Sequence, residues 1–489
     1  MKRVRLSQQQ LSWFFIVAAV ALGTLGGLFV LSVTTPVKIL GTILGLFLVT
    51  ALFVRLEYGL LALVSLTYVN FYDVAVRNGL PSVAPILIIL LIGTILFHVL
   101  FKNESPRAWV RPSLLMLSFG ITGLISFAFA RDLSRTTTVF FDFILAATLG
   151  SLVVVLLQNG KFLRHVIWVL ILAGLFMGGI SVYQYFTNSW GQNFGGFGRA
   201  EISQITSSAT VFRISGPIGD ANFYAQILVV LVPFGLERFW HEKSKLLRLL
   251  AIGAAAITSL AIFLTFSRGG FLALLLVMLL TFLWIRPKFK YILFALILIA
   301  PLALFIPKVY FERIGTITEL IPSSTDERLS DRAFRGRASE WKAAIMMFED
   351  HPFLGVGLGN YPVHYQQYSR DIGLDSRLSQ RSAHSLYLQI AAETGVVGLS
   401  LMVLILFIAT RGILTARKRM IAAGLHEPAR LSSGFLIGFV GYLIAGIFLH
   451  PAYPNFLWLL IGIALSIPII AGNELIIREA QLEFKTSNS

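Results

Sequence analysis

The stretch VAPILIILLIGTILFHVLF, residues 83–101, decides the fold class of this chain. It contains no aspartate, glutamate, lysine or arginine, and its length matches the about 20 apolar residues that an α-helix needs to cross a bilayer. Similar apolar blocks recur along all 489 residues, of which 56% are apolar and 13% charged. A soluble domain has about 25% charged residues, so the composition predicts repeated membrane spans.

The apolar blocks predict an all-α polytopic membrane protein with about 12–14 transmembrane helices. The run 11–33 follows a basic N-terminus and is longer than the about 7–15 apolar residues of a signal peptide, so we expect a retained first span. The candidate spans are 11–33, 37–54, 56–72, 83–101, 112–130, 138–157, 163–186, 221–238, 247–265, 270–285, 289–306, 388–410, 432–450 and 453–472.

The interpretation of the formal net charge of +16 depends on these spans. In a soluble protein this charge would indicate binding to nucleic acid, whereas in a membrane protein basic residues collect in cytoplasmic loops. With fourteen spans and the N-terminus inside, every strongly basic short loop lies inside, in the ranges 238–248, 286–290 and 411–419. We therefore predict cytoplasmic termini, a lipid bilayer as partner and no nucleic acid. The chain has no cysteine, which excludes disulfides.

This orientation leaves two long segments outside the membrane, 187–220 and 307–384. Loops of this length in compact folds are functional or disordered. We divide the chain into a membrane bundle of eleven spans that includes the outer loop 187–220 (1–306), an extracytoplasmic catalytic loop (307–384), and C-terminal spans with a cytoplasmic tail (385–489).

The catalytic loop contains an amphipathic helix pattern from Arg337 to Asp350, which His351-Pro352 should end. A glycine-rich turn follows at 355–360; with no preceding strand and no GK[ST], it is read as a turn and not as a nucleotide site. The expected apolar face of the helix consists of Ala338, Trp341, Ala344, Ile345 and Phe348, with Glu340 and Lys342 off that face. Histidines on the outer side lack the spacing of paired metal ligands, so we expect metal-independent chemistry without a cofactor.

Two arginines border spans on the outer side. Arg268 lies in TFSRGG, residues 265–270, where Ser267 is a plausible N-cap for the next helix. A helix N-terminus disfavours a cation, and a bound anion would reverse that penalty. Arg213 precedes the span at 221–238 in the same manner. Alternatively, each arginine anchors the protein at the lipid interface.

His384 precedes another span, in AHSLY at 383–387. An imidazole near water titrates near neutrality and can take a proton from a hydroxyl; the alternative is a histidine that caps a helix. Glu393 lies inside the following apolar helix and needs a partner there. Tyr361 and Tyr365 offer surfaces for sugar stacking, although packing within the loop is the interpretation that we favour.

These motifs together resemble the O-antigen ligase/O-antigen polymerase superfamily of bacterial envelope glycosyltransferases. The resemblance covers about residues 200–400. It rests on RISG (213–216), LTFSRGG (264–270), the segment from Arg337 through HPFLGVG (351–357), HSLY (384–387) and ETG (393–395).

The resemblance implies a GT-C-like membrane fold in the bacterial inner membrane, with its active site on the periplasmic face. Such proteins move a glycan from undecaprenyl diphosphate to an acceptor in lipopolysaccharide or exopolysaccharide biosynthesis, without metal or nucleotide. By analogy, Arg213 and Arg268 would bind the diphosphate and His384 would be the base. Arg337 in the loop would assist the transfer. Glu393 is a further candidate for an assisting role, or else has a structural one.

The acceptor stays open at the level of sequence. The interpretation we favour is an inverting O-antigen ligase that uses lipid A-core, with an O-antigen or exopolysaccharide polymerase as the alternative and a protein glycosyltransferase as a further one. An anionic-solute transporter or flippase would carry ionisable residues near the bilayer midplane. Here the span centres are nearly free of charge, which favours chemistry at one face of the membrane.

Overall fold

The computed structural model describes residues 56–101, 106–204, 210–285, 332–373, 380–448 and 455–487. Within these residues, eight helices are long and apolar enough to cross a membrane, or nine when one bent pair counts as a span. The chain is therefore an all-α polytopic membrane protein, as predicted. The predicted spans 11–33, 37–54 and 289–306 lie outside the described residues.

The described chain forms sixteen α-helices and one small antiparallel sheet. The helices are α1 (Leu56–Tyr68), α2 (Phe71–Arg77), α3 (Val83–Phe101), α4 (Val110–Ser118), α5 (Gly120–Ser126), α6 (Leu133–Leu156), α7 (Gly160–Phe186), α8 (Ala221–Val229), α9 (Val232–His241), α10 (Lys245–Leu264), α11 (Arg268–Ile285), α12 (Arg332–Asp350), α13 (Tyr361–Ile372), α14 (Leu386–Ala422), α15 (His426–Ala445) and α16 (Asn455–Ser487). The strands are β1 (Ala200–Gln204) and β2 (Thr210–Ile214).

Several predicted spans are interrupted. The span 83–101 is the continuous helix α3, but the span 112–130 is divided into α4 and α5. The span 56–72 bends by 62° between α1 and α2, where Asn70 has a left-handed backbone with φ 55°. Apolar content predicts that a segment enters the membrane. A change of backbone conformation at one residue does not alter the apolar content, so this bend could not be predicted from it.

Close backbone contact holds the bundle together between α6 and α16. A Cβ on Gly150 would lie 2.6 Å from the carbonyl oxygen of Trp458, and one on Gly462 would lie 2.5 Å from the carbonyl oxygen of Gly150. Small residues allow two helix backbones to approach this closely. Within a bilayer, such close packing stabilises helix association, because the hydrophobic effect does not drive helices together there. The ring of Trp458 meets that of Phe143 edge-on at 5.0 Å between centroids.

The two ends of the bundle differ in their charged groups. One end carries the sheet and is called the hairpin end below. The opposite end holds a buried ion network in which Arg238 contacts Glu237 at 2.6 Å and Glu427 at 3.4 Å. Arg164 at the start of α7 contacts Glu242 at 2.7 Å. This network fixes α7, α9 and α15 where each begins or ends.

Helix α14 is broken at Gly395, which has φ 61° and ψ −161°. The segment after α12 fills the break: Val396 donates a 2.7 Å hydrogen bond to the Pro352 carbonyl, and Val356 donates one of 2.9 Å to the Ala392 carbonyl. A Cβ on Gly395 would overlap the backbone of Phe353. Only a glycine tolerates this backbone conformation and this contact. The break joins the loop rigidly to a membrane helix.

Candidate functional site

Arg213 is held in place by the sheet of the hairpin end. It stands opposite Glu201 in the β1–β2 register, and its Nη1 lies 3.2 Å from the Glu201 Oε1 atom. Its Nε donates a 2.7 Å hydrogen bond to the Thr265 carbonyl, and its Nη2 donates one of 2.9 Å to the Asn222 side chain. The residue is 5% exposed. Every nitrogen of the guanidinium therefore has a fixed partner.

Arg268 is the first residue of α11. The Gly270 N–H donates a 3.2 Å hydrogen bond to the Ser267 hydroxyl, which confirms Ser267 as the predicted N-cap. The bond from Arg213 to Thr265 places the two arginines at the same helix junction. An arginine at this position faces the positive end of the helix dipole.

Arg337 on α12 completes what we call the arginine cluster, Arg213, Arg268 and Arg337. Burial lowers the pKa of the Arg337 guanidinium, and the positive charges of Arg268 and Arg213 lower it further, against the raising effects of Glu340 and Asp220. Burial likewise lowers the pKa of Arg213; Glu201 and Asp220 oppose this, and Arg268 adds to it. The three cations thus repel one another in a partly desolvated site. An anion with several charges would relieve that repulsion.

His384 lies at the same end, in the segment that leads into α14. Its backbone has φ 46°, a left-handed conformation that costs about 1–3 kcal/mol in a residue other than glycine. Its Nδ1 lies 3.0 Å from Glu340 Oε2 and 3.1 Å from the Ser382 carbonyl oxygen. The Nε atom of Arg381 lies 3.0 Å from the other oxygen of Glu340. These contacts set the direction in which the imidazole faces.

Helix α12 links the arginine cluster to His384. Arg337 and Glu340 are three residues apart, a spacing that places both on one helix face, and their charges interact. Arg337 therefore belongs to the cluster while Glu340, one turn later, contacts His384. The structure brings together Arg213, Arg268, Arg337 and His384, which the sequence had marked separately.

Glu393 has a different environment. It is fully buried and accepts hydrogen bonds from the Gly359 N–H at 2.9 Å, the Tyr361 N–H at 3.3 Å and the Gln389 side chain at 3.2 Å. Its oxygens thus hold the glycine-rich turn and the start of α13. This arrangement accounts for a buried carboxylate inside an apolar helix without a part in the chemistry.

Tyr361 and Tyr365 are both fully buried, which corrects the idea that they stack on sugar rings. The Tyr361 hydroxyl donates a 2.7 Å hydrogen bond to the Glu340 carbonyl, and the Tyr365 hydroxyl donates one of 3.2 Å to Ser339. Their rings pack between α12 and α13 with Ala343 and Met347. Neither ring face is open to a sugar here, so they serve as core residues.

The sequence interpretation missed Glu340 because it displaced the apolar face of α12: of the five predicted residues only Ala344 is fully buried. Helix α12 buries Glu340, Ala343, Ala344 and Met347, while Ile345, assigned to the apolar face, is 45% exposed. The buried residues also follow helical spacing, but a glutamate appeared to exclude that face. The available signal was that Glu340 lies on the same helix face as the apolar residues three, four and seven positions after it, Ala343, Ala344 and Met347.

No group of three His, Asp or Glu side chains near enough to hold a metal ion occurs in the part of the chain that the structure describes.

Residues 253–403 match the model of a protein family described as O-antigen ligase. The matched range runs from α10 into α14 and contains Arg268, Arg337 and His384, whereas Arg213 precedes it. A search of curated protein sequences gives no match to the chain. The family match confirms the resemblance to the O-antigen ligase/polymerase superfamily.

Proposed function

We propose that the chain transfers a glycan from undecaprenyl diphosphate to an acceptor hydroxyl, as an O-antigen ligase with lipid A-core as acceptor. The observation that supports this most directly is the arginine cluster beside His384 at one end of a membrane bundle. The family match over 253–403 supports a ligase of this general kind. A soluble donor would not require the site to border the bilayer.

The donor diphosphate fits the arginine cluster in charge and shape. Guanidinium groups present planar pairs of N–H donors that match phosphate oxygens. A diphosphate ester supplies several negative charges, which offset the mutual repulsion of Arg213, Arg268 and Arg337. The polyprenyl tail would lie in the bilayer that surrounds the apolar helices.

The reaction needs one nucleophile, one base and a stabilised leaving group. The acceptor hydroxyl oxygen attacks the anomeric carbon, the bond from that carbon to the phosphate oxygen breaks, and its electron pair leaves on undecaprenyl diphosphate. His384 takes the hydroxyl proton. The arginine cluster stabilises the added charge on the leaving diphosphate, the role that a divalent cation has in other transferases. Attack from the side opposite the diphosphate inverts the anomeric centre.

We place the hairpin end on the periplasmic face of the bacterial inner membrane, and the termini in the cytoplasm. The opposite end carries the basic loop residues Lys243, Lys245 and Arg248 and the basic end of α14 at Arg417 to Arg419. A surplus of lysine and arginine marks the cytoplasmic side. The described residues of the loop, 332–373 and 380–384, then belong to an extracytoplasmic catalytic unit together with the hairpin from the 1–306 region.

The test is glycan transfer by the purified chain in detergent, with an undecaprenyl-diphosphate oligosaccharide as donor and EDTA present. Lipid A-core, a second lipid-linked repeat unit and a peptide hydroxyl are supplied one at a time. We expect transfer to lipid A-core that survives EDTA and is lost in His384→Ala and Arg268→Ala. Transfer only to a second repeat unit would identify a polymerase instead. No transfer by folded protein would contradict the proposal and favour a flux assay for transport.

A further inference from the structure

We infer that Glu340 is a positioning residue that acts through His384: its carboxylate faces Nδ1 and stabilises the imidazolium that forms when Nε2 takes the proton. This inference rests on the proposed function, since it assigns Glu340 a part in that transfer. Glu340 is 1% exposed, and a carboxylate so deeply buried needs charged or hydrogen-bonding partners.

The contacts of the imidazole determine its tautomer. Nδ1 of His384 lies near two oxygens, Oε2 of Glu340 at 3.0 Å and the carbonyl of Ser382 at 3.1 Å. The Ser382 carbonyl only accepts hydrogen bonds, so Nδ1 carries the hydrogen. Glu340 faces Nδ1 as a negative charge and makes no hydrogen bond with it. A neutral imidazole has a single N–H, which leaves the lone pair on Nε2. Nε2 is then the atom that takes the proton of the acceptor hydroxyl.

The same carboxylate stabilises the product of proton transfer. Once Nε2 is protonated, the imidazolium carries a positive charge next to Oε2 of Glu340. The guanidinium of Arg381, 3.0 Å from Oε1, keeps the carboxylate in place for both states of the ring. Arg337 and Glu340 lie on one face of α12, so a single helix positions both the cation for the donor and the base for the acceptor.

A glutamine at position 340 separates this role from simple packing. Its amide oxygen would pair with Arg381, which offers only donors, and its NH₂ group would then face Nδ1. That arrangement favours the tautomer with the hydrogen on Nε2, which cannot accept a proton. An alanine would leave Ser382 to hold the Nδ1 hydrogen. We therefore expect lower transfer activity from Glu340→Gln than from Glu340→Ala. If Glu340 only fills space, the isosteric glutamine should instead be the more active variant.

The experiment compares kcat and KM for the parent, Glu340→Gln, Glu340→Ala and Glu340→Asp, with Glu349→Gln as an exposed control on the same helix. We expect kcat of Glu340→Gln to fall at least about 100-fold, with the donor KM within about threefold because the arginine cluster is intact. Glu340→Ala and Glu340→Asp should retain more activity, and the control should equal the parent. Adding Glu340→Gln to His384→Ala should cause no further loss, because both changes act on one group.

Thermal unfolding and gel filtration identify variants that fold. If Glu340→Ala does not fold, Arg381→Met with Glu340→Gln decides the matter, since the amide can then turn its oxygen to Nδ1. We expect this pair to recover about tenfold in kcat over Glu340→Gln, and no recovery would overturn the inference. Parent-like activity of Glu340→Gln, or losses that multiply with His384→Ala, would also overturn it while the proposed function stands. A folded parent that transfers no glycan overturns the proposed function and this role with it.

Discussion

The Nε atom of Arg213 donates a 2.7 Å hydrogen bond to the carbonyl oxygen of Thr265. This bond ties strand β2 to the end of α10, two residues before Ser267 caps the helix that begins with Arg268. Two segments distant in sequence thereby fix two cations relative to each other. The position of Arg268 in the cluster thus depends on the contacts of Arg213.

Arg213→Lys keeps the charge but not the geometry. One ammonium cannot replace three nitrogens that contact Thr265, Asn222 and Glu201. We expect the transfer rate to fall at least about 100-fold, with folded protein in normal yield. The measurement is initial rate with the lipid-linked donor, and Arg370→Lys, an exposed arginine on α13, serves as control. A rate within threefold of the parent would show that charge alone suffices at this position.

Arg337→Met removes one of three mutually repelling cations. We expect the ligand-free variant to unfold at the parent's Tm or higher, since the repulsion is reduced. Binding of undecaprenyl diphosphate should weaken about 10–100-fold, which corresponds to about 1.4–2.8 kcal/mol. The measurement is the rise of Tm on addition of undecaprenyl diphosphate, with Lys342→Met, an exposed cation on α12, as control. An unchanged rise of Tm would remove Arg337 from the donor site.

Gly395→Ala tests the break in α14. The backbone at φ 61° and ψ −161° costs an alanine about 1–3 kcal/mol, and its Cβ would overlap the backbone of Phe353. We expect a large loss of folded protein and a lower Tm. Gly179→Ala on α7, where a Cβ meets nothing within 4 Å, should fold as the parent does. Equal stability of the two variants would contradict the described break.

Glu393→Gln separates structure from chemistry. Glu393 now accepts hydrogen bonds from several N–H groups. The NH₂ group of a glutamine would face one of these donors and could not accept its hydrogen bond, which costs about 1–3 kcal/mol of stability. We expect a lower Tm but a kcat per folded molecule within about threefold of the parent. Thermal unfolding and transfer rate are measured on the same preparation, with Glu349→Gln as control. Lost activity at unchanged Tm would place Glu393 in the reaction.

The sequence predicted the membrane fold and most of the cluster because both depend on local signals. Long apolar runs specify the spans. Arg213, Arg268 and His384 each stand next to such a run, so the orientation of the spans assigns them to one end. The sequence could not predict that they converge, since this depends on how β2, α11, α12 and α14 pack.

The remaining features depend on tertiary contacts. The hairpin β1–β2 was not predicted because its five-residue strands are short, and Glu201 pairs with Arg213 only once the register is set. The buried position of Glu340 contradicts its polarity and is explained by two cations, His384 when protonated and Arg381, from a distant segment. Tyr361 and Tyr365 are buried because α12 and α13 form a small core of their own.

The break at Gly395 also has a consequence for biogenesis. Residues 352–357 are synthesised before the second half of α14, so their hydrogen bonds to Ala392, Glu393 and Val396 form only after that helix has entered the bilayer. A nascent chain that ends before Ala392 therefore has its arginines and His384 but not yet the hydrogen bonds that hold residues 352–357. Assembly of the reactive centre is coupled to insertion of the C-terminal helices, and a chain cut short at residue 390 would be inert.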